Sequence, residues 1–370
     1  MLDLRFSEYF GAWICAYYAN IPLGRDFYTA VNASRFFGGA IAKYILDLLE
    51  THEIDLPLNI IDLGANSANL LSDIRAFLEV LGLGVVENCK FIAVEANAQT
   101  ATLSLKGSKA TEAIYKSNID CHDSAFAESR NDKVIFYKNL TELKNANILQ
   151  NHHCIFIANE FFDALPCEII DNDKMVFMQN HRLIFKAHDD KKIQEICKNF
   201  KIRKGEIPLI YDEICDEIAN VKFIFIAFDY GDENPRNELT TRFFYHHKVQ
   251  NLNDFFADLA QDLSANSTNK TQYSLNHSAN LANLFGKCDI TYSVPFFLLD
   301  RAFERIGARK ILSKRQDLAL IEDFKILDLL QDFFDSQIAP NRTYLHESNK
   351  IKTLLYNLSP KFHTRIYKNF

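Results

Sequence analysis

Short apolar runs alternate with segments of helical periodicity along most of the chain. Runs that stop at a polar residue or a glycine predict strands at 58–64, 91–95, 134–137, 153–158 and 221–228. Apolar residues at helical spacing predict helices at 33–49, 67–81 and 295–307. Because the strands show no apolar–polar alternation, both of their faces should be covered, as in a parallel sheet. The pattern therefore predicts a doubly wound α/β fold with a mostly parallel sheet.

A different pattern separates the fourth and fifth predicted strands. Residues 167–220 predict a β-hairpin around Asn172 and Asp173, a strand at 181–186 and a charged helix at 190–200. We interpret this stretch as an inserted lid or substrate subdomain. The Ser-, Asn- and Thr-rich stretch 264–283 is typical of a loop. The predicted domains are an N-terminal helical cap (1–50), a core (51–166 and 221–310), the insertion (167–220) and a C-terminal helical extension (311–370).

Composition limits the class of protein. A chain of 370 residues with 48% hydrophobic and 24% charged residues predicts a soluble globular protein of one or two domains. A formal net charge of -7 disfavours nucleic acid as the main partner. The eight cysteines include no CxxC pair, so we expect reduced thiols, no metal site and a cytoplasmic protein. No apolar stretch is long enough to predict a membrane span, and the N-terminus lacks a signal-peptide pattern.

Acidic and amide side chains lie at the carboxyl ends of the predicted strands. They are Asp62, Glu95, Asn159, Glu160 and Asp229. Ligands of doubly wound sheets bind beyond these strand ends, so the sequence predicts one pocket there. The alternative for Asp62 and Glu95 is that each is a helix-capping or solvated strand-end acid.

The first strand runs through Gly64 into a helix, which is an arrangement that binds the polar part of a nucleotide cofactor. We expect Asn66 or Ser67 to cap this helix. A dinucleotide site needs G-x-G-x-x-G, whereas residues 64–69 (GANSAN) keep the first glycine alone, which disfavours NAD. S-adenosylmethionine has no pyrophosphate and needs less room. Asp62, Gly64 and Asn66 are therefore candidate cofactor residues, and Glu95 is placed to accept hydrogen bonds from the ribose hydroxyls.

Several motifs carry a resemblance that covers about residues 6–310. The segment 158–166 (ANEFFDALP) is the most specific, and 6–10, 26–38, 229–231, 242–247 and 289–296 add to it. Together they resemble the MidA-like family of S-adenosylmethionine-dependent methyltransferases, which includes a mitochondrial complex I assembly factor that methylates a protein arginine. The resemblance implies a class I methyltransferase fold, S-adenosylmethionine as cofactor and a protein substrate, with a respiratory complex subunit as one candidate. A homodimer is an open alternative.

The resemblance also implies roles for single residues. Glu160 would bind the methyl acceptor, and Asn159 would orient the acceptor or the methionine end of the cofactor. Asp163 would be a second acid or an N-cap. Asp26 and Thr29 would lie on a loop of the N-terminal cap that closes over the cofactor, unless they form a local turn.

Three further residues are candidates for substrate binding. Asp229 would join a second carboxylate cluster or end a strand, and Arg242 and His247 would have a structural or substrate-contact role. The pair His246 and His247 is a poor metal site, because neighbouring residues of a strand face opposite ways.

The sequence departs from the family pattern at several positions. Asn66 and Ala68 replace two glycines of the turn, and Asn32, Pro295 and Phe244 replace two acids and a tyrosine. Asn66 tolerates a left-handed conformation, and Ala68 in the first turn of a helix should do no harm unless the cofactor needs its space. These changes keep two alternatives open: a binding or assembly protein without turnover, and a nucleotide-dependent oxidoreductase.

Overall fold

A computed structural model describes residues 3–20, 34–96, 134–150, 152–179, 182–245, 248–254, 281–335, 342–356 and 361–370. The chain divides into two compact units. We call Tyr28–Asn159, Glu217–Asp229 and Gly307–Phe370 the parallel-sheet unit. We call Met1–Phe27, Glu160–Asp216 and Tyr230–Ile306 the antiparallel-sheet unit.

The described regular elements are numbered along the chain. The helices are α1 (Phe6–Asn20), α2 (Phe36–Glu50), α3 (Asn69–Leu81), α4 (Leu140–Asn145), α5 (Lys191–Phe200), α6 (Ile210–Ile218), α7 (Phe296–Arg305), α8 (Gln316–Glu322), α9 (Ile326–Asp335) and α10 (Arg342–Tyr356). The strands are β1 (Leu4–Arg5), β2 (Leu58–Leu63), β3 (Cys89–Val94), β4 (Val134–Tyr137), β5 (His153–Asn159), β6 (Glu168–Asp171), β7 (Lys174–Gln179), β8 (Arg182–Ala187), β9 (Lys204–Ile207), β10 (Phe223–Asp232), β11 (Arg242–Tyr245), β12 (Lys248–Asn251), β13 (Asp289–Thr291), β14 (Val294–Pro295), β15 (Arg309–Arg315) and β16 (Phe362–Lys368).

The parallel-sheet unit is built on strands in the order β15-β16-β10-β5-β2-β3-β4. The pairs β10–β5, β5–β2, β2–β3 and β3–β4 are all parallel. Every residue of β2 is buried, as expected for a strand that shows no apolar–polar alternation and is covered on both faces. The chain order reverses between β2 and β5, so the topological switch point of the sheet lies at these two neighbours.

Helices α2 and α3 cover this sheet and pack tightly on each other. Their apolar faces, including Phe37, Ile41 and Ile74, belong to one core with the strands. A Cβ at Gly38 would lie 2.7 Å from the Cβ of Asp73, so the approach of α2 to α3 requires glycine at this position.

The antiparallel-sheet unit contains two small sheets. One has the order β1-β7-β6-β9 with β8 on β7, and the other has the order β12-β11-β13. The predicted hairpin is confirmed: β6 and β7 pair through Asp171 and Lys174, and Asn172 turns with a φ of 57°. Helix α1 packs through Trp13, whose Nε1 donates a hydrogen bond to the carbonyl oxygen of Cys288 at 2.7 Å.

The structure corrects several predicted elements. The fifth strand does not end at Asp229 but continues to Asp232, because Gly231 and Asp232 pair with Val294 and Pro295 of β14. A Cβ at Gly231 would overlap the carbonyl oxygen of Val294, so this pairing requires glycine. The described residues of the region 311–370 form three helices, but the region is not purely helical, because β15 and β16 pair as an antiparallel ladder.

The predicted cap and the predicted insertion differ from the structure in their extent and content. The predicted cap 1–50 is divided, with α1 in the antiparallel-sheet unit and α2 in the parallel-sheet unit. The predicted insertion 167–220 holds an additional strand, β9, and helix α6, and its β7 pairs with β1. Most of the predicted loop 264–283 lies outside the described residues.

Two general features hold for the part of the chain that the structure describes. None of its helices combines the length and apolar character that crossing a bilayer requires. The described His, Cys, Asp and Glu side chains form no group of three or more that is arranged to hold a metal ion.

Candidate functional site

The ends of three strands meet at one edge of the parallel sheet. Leu63 of β2 pairs with Val94 of β3 on one side and Ala158 of β5 on the other. The next residues, Gly64, Glu95 and Asn159, therefore lie side by side, across about 10 Å at the usual strand spacing. The backbone N–H of Glu95 donates a hydrogen bond to the carbonyl oxygen of Tyr137 at 2.8 Å, which holds this acid at the edge. We call Asp62, Gly64, Glu95 and Asn159 together the sheet rim.

The turn after β2 has a left-handed backbone at alternate residues. The φ angles are 72° at Gly64, 48° at Asn66 and 56° at Ala68. The N–H groups of Gly64 and Ala65 donate to the carbonyl oxygen of Val94 at 2.9 and 3.4 Å. The N–H of Asn66 donates to Oε2 of Glu95 at 3.0 Å, so Glu95 fixes the shape of the turn.

The predicted cap of α3 is wrong. The N-cap residue is Ala68, because the left-handed backbone of the turn ends at this residue and the helix begins at the next one. Ala68 makes no side-chain cap hydrogen bond. Ala68 is therefore not in the first helical turn. Its left-handed conformation costs about 1–2 kcal/mol, of which its buried methyl group recovers about 0.8 kcal/mol. This methyl belongs to the core cluster, whereas Asn66 is exposed, so Asn66 is the replacement that faces solvent.

Asp62 is a buried acid at the penultimate position of β2, two residues before Gly64. It is 4% exposed, and no cationic side chain of the described residues pairs with it. Burial, and secondarily the charge of Glu95, raises the pKa of Asp62 to about 8. The carboxyl is thus poised to ionise when a cationic ligand group comes close.

The stability of the folded protein should carry a signature of Asp62. Its pKa is raised from 3.8 to about 8, so between these values the folded state holds a proton that the unfolded state has lost. Stability should therefore fall as the pH rises through this window, by up to about 1.4 kcal/mol per pH unit. In Asp62→Asn this loss should be absent. Urea unfolding of both proteins between about pH 5 and pH 8 measures the difference, and parallel pH profiles would contradict it.

Asn159, at the end of β5, has an unsatisfied acceptor. Its Oδ1 is buried and makes no hydrogen bond. Such an oxygen costs about 1–3 kcal/mol while it has no partner, so it is available to accept a hydrogen bond from a ligand N–H or O–H. The next residue, Glu160, is half-buried and has a φ of 49°, a conformation that a glutamate adopts only at a cost.

Asp163 lies in a short 3-10 turn, Phe162–Ala164. Its carbonyl oxygen accepts a hydrogen bond from the N–H of Tyr292 at 3.1 Å, and the residue is 8% exposed. The N-cap of the turn is Phe161, so the alternative that Asp163 caps it is wrong. Asp163 stays a candidate second acid.

Two of the remaining candidate residues lie on described strands, and three lie outside the described residues. Asp229 is fully buried inside β10 instead of ending the strand, because β14 extends the pairing beyond it. Arg242 is half-buried at the start of β11, with its Cζ 5.1 Å from the centre of the Tyr230 ring. Asp26, Thr29 and His247 lie outside the described residues.

Glu206 is a buried acid that the sequence pattern did not single out. Its Oε1 accepts hydrogen bonds from the N–H groups of Thr240 and Thr241 and from Oγ1 of Thr241, at 2.7–2.8 Å. It thereby fixes the segment that leads into Arg242. Burial raises its pKa, against these hydrogen bonds. No motif marks Glu206, because it lies on β9, a strand that the periodicity did not predict.

Comparisons with known proteins identify the class. A family model described as "Putative S-adenosyl-L-methionine-dependent methyltransferase" matches residues 40–312. The chain belongs to this family, and the resemblance to MidA-like methyltransferases is confirmed. The doubly wound α/β fold that the strand pattern predicted is confirmed, and it is of the class I, Rossmann-like type that the resemblance implied. The protein is an S-adenosylmethionine-dependent methyltransferase.

Solved structures agree on the fold. A "likely methyl transferase" from Burkholderia thailandensis, bound to S-adenosyl-homocysteine, has a TM-score of 0.66 at 16% identity, over 99% of this chain and 88% of that chain. A native structure of the same superfamily from the same organism has a TM-score of 0.65 at 16% identity, over 99% and 87%. The comparison with curated proteins gives no match.

The residues of the sheet rim fit this cofactor. S-adenosylmethionine carries an ammonium and a sulfonium, and Asp62 offers a buried acid with which no cationic side chain in the described part of the chain pairs. The hydroxyl and amine groups of the cofactor are hydrogen-bond donors, and Asn159 offers an unpaired acceptor. This donor–acceptor match comes from the residues alone, independent of the family.

Proposed function

We propose that this methyltransferase modifies an arginine of a protein substrate and uses the sheet rim as its cofactor site. The observation that carries the proposal is Asp62, a buried acid at the switch point with a pKa raised to about 8 and no cationic partner among the described residues. A buried acid of this kind favours a cationic ligand at the place where doubly wound sheets bind theirs.

Four described residues would hold the cofactor. Asp62 would face its positive charge, Gly64 and Asn66 would shape the turn, and Glu95 would accept hydrogen bonds from the ribose while it keeps the N–H of Asn66. Asp26 and Thr29 would close over it. When bound, S-adenosylmethionine supplies an electrophilic methyl group on a sulfonium.

The segment that starts at Asn159 would hold the acceptor. An arginine guanidinium is planar and cationic, so a carboxylate orients it through paired hydrogen bonds and draws positive charge away from the attacking nitrogen. We assign this role to Glu160, with Asp163 as the second acid. Asn159 would accept a hydrogen bond from the acceptor or from the amino group of the cofactor. Asp229, Arg242 and His247 would contact the substrate.

The biological setting of the proposal comes from the family resemblance. The proposed substrate is a subunit of a respiratory complex. The proposed location of the enzyme is the cytoplasm, and a homodimer is the proposed alternative to a monomer. A methyltransferase fold that binds without turnover is the second candidate function. The observation that favours it is the loss of two turn glycines at the left-handed positions Asn66 and Ala68.

Calorimetric titration of the full chain with S-adenosylmethionine tests the cofactor site. We expect saturable binding, and no response to NAD. Because binding of a cation favours ionised Asp62, affinity should rise as the pH approaches 8, by up to about tenfold per pH unit, with release of a proton. Titrations in two buffers of different ionisation heat measure that proton.

Asp62→Asn is the matched control, because the amide keeps the size of the side chain and cannot ionise. Its affinity should be independent of pH in the same window. A well-folded wild-type protein without saturable heat at any pH would contradict the cofactor site and favour the binding protein without turnover.

A further inference from the structure

Arg242 lies on one face of the small sheet formed by β12, β11 and β13. Alternation along β11 places Arg242 and Phe244 on one face and Phe243 on the other. Phe243 is 2% exposed, and its ring centre is 5.2 Å from that of Trp13. The inner face of the strand is therefore anchored in the core of the antiparallel-sheet unit, which fixes the face that carries Arg242.

Two aromatic rings orient the guanidinium. The Cζ of Arg242 lies 5.1 Å from the ring centre of Tyr230 and 5.7 Å from that of Phe244. The hydroxyl of Tyr230 is 2.8 Å from Oγ1 of Thr291, which is paired directly opposite Arg242. The rings stabilise the cation through their faces, but they offer no in-plane acceptor for its N–H groups.

No carboxylate of the described residues pairs with the hydrogen-bonding edge of Arg242. Its Nε is buried without a hydrogen-bond partner, and no described acid forms an ion pair with it. Asp289, on the same face, accepts a hydrogen bond from the N–H of Ile290 at 3.0 Å. Arg301, another half-buried arginine of the same unit, has such a partner, because its Nη2 lies 2.6 Å from Oδ1 of Asp212.

We propose that Arg242 is a carboxylate-binding residue of the methyltransferase. Its planar fork, held between Tyr230 and Phe244, matches a carboxylate through two parallel N–H···O bonds. A dianionic phosphate fits less well, because the same face carries Asp289. The inference rests on the proposed function. The carboxylate belongs either to the amino-acid end of S-adenosylmethionine or to the methyl acceptor.

The first experiment compares S-adenosylmethionine with its decarboxylated form by calorimetric titration of the full chain. If the cofactor supplies the carboxylate, the wild-type protein should prefer S-adenosylmethionine by at least about tenfold. Arg242→Gln should lose this preference without a change in affinity for the decarboxylated form. Arg242→Lys, which keeps the charge but not the fork, should recover part of it.

The second experiment covers the acceptor as the source. Arg242→Gln should then bind both cofactor forms like the wild-type protein. Transfer of labelled methyl groups into an extract from cells that lack the protein should fall at least about tenfold, with partial rescue in Arg242→Lys. Arg236→Gln is the matched control, because Arg236 of the same unit already pairs with Glu238 at 2.7 Å.

The proposal is overturned if Arg242→Gln is folded and matches the wild-type protein in both experiments. If this variant does not fold, Phe244→Leu removes one ring and leaves the cation, and the same two comparisons decide. A wild-type protein that binds no S-adenosylmethionine would refute the proposed function itself. A wild-type protein that binds it, with an unaffected variant, refutes the role of Arg242 alone.

Discussion

Glu160→Gln is expected to abolish methyl transfer and to leave the affinity for S-adenosylmethionine within a few-fold of the wild-type value. A glutamine is neutral, and its amide presents N–H donors to a guanidinium that has donors only. Loss of the charge that holds and polarises the acceptor should lower the rate by about 10²–10⁴-fold. Transfer of labelled methyl groups into an extract from cells that lack the protein measures the rate, and calorimetry measures the affinity.

Two further variants distinguish the effect of the Glu160 carboxylate from the effect of its backbone conformation and from the effect of removing any negative charge. Glu160→Gly should relieve the left-handed conformation at φ 49°, worth about 1–2 kcal/mol, and yield a more stable but inactive protein. Glu238→Gln removes an exposed acid that pairs with Arg236 and should keep full activity. If Glu160→Gln retains activity, the acceptor role belongs to another residue.

The central strands were predictable because their signal is local. The runs that became β2, β3 and β5 are mostly apolar and show no apolar–polar alternation, and burial on both faces of a parallel sheet selects such runs. β15 has four basic residues among seven and is largely exposed, so nothing local distinguishes it from a loop. Its identity as a strand depends on pairing with β16, far along the chain. The extension of β10 likewise depends on its partner, β14.

The features of the candidate site also divide into those that the local sequence predicts and those that depend on residues far along the chain. Asp62, Glu95 and Asn159 were predictable, because a polar residue that follows a buried apolar run must lie at a strand end. The left-handed backbone at Ala68 and Glu160 was not, because neither residue type favours it and the surrounding turn imposes it. Glu206 and the rings beside Arg242 depend on cross-strand neighbours, which a single sequence does not reveal.

Glu95→Ala is expected to weaken binding of S-adenosylmethionine by about 1.5–3 kcal/mol, or roughly 10–150-fold, through loss of charged hydrogen bonds to the ribose. The same change leaves the N–H of Asn66 without the acceptor it has at 3.0 Å, which loosens the turn. Calorimetric titration measures the affinity. Glu87→Ala, an exposed acid just before β3, is the matched control and should bind like the wild-type protein.

The charge of Glu95 has a second, opposing effect that tests its place at the sheet rim. Glu95 is the secondary cause of the raised pKa of Asp62, after burial, so Glu95→Ala should move the proton release on binding to lower pH. Easier ionisation of Asp62 favours a cationic ligand, but burial, the larger cause, remains, so the loss of hydrogen bonds should prevail. Glu95→Gln should show the same pH shift with a smaller loss of affinity, because its amide oxygen still accepts from Asn66. Unchanged affinity in Glu95→Ala would refute the ribose assignment, and an unchanged pH of proton release would refute the coupling to Asp62.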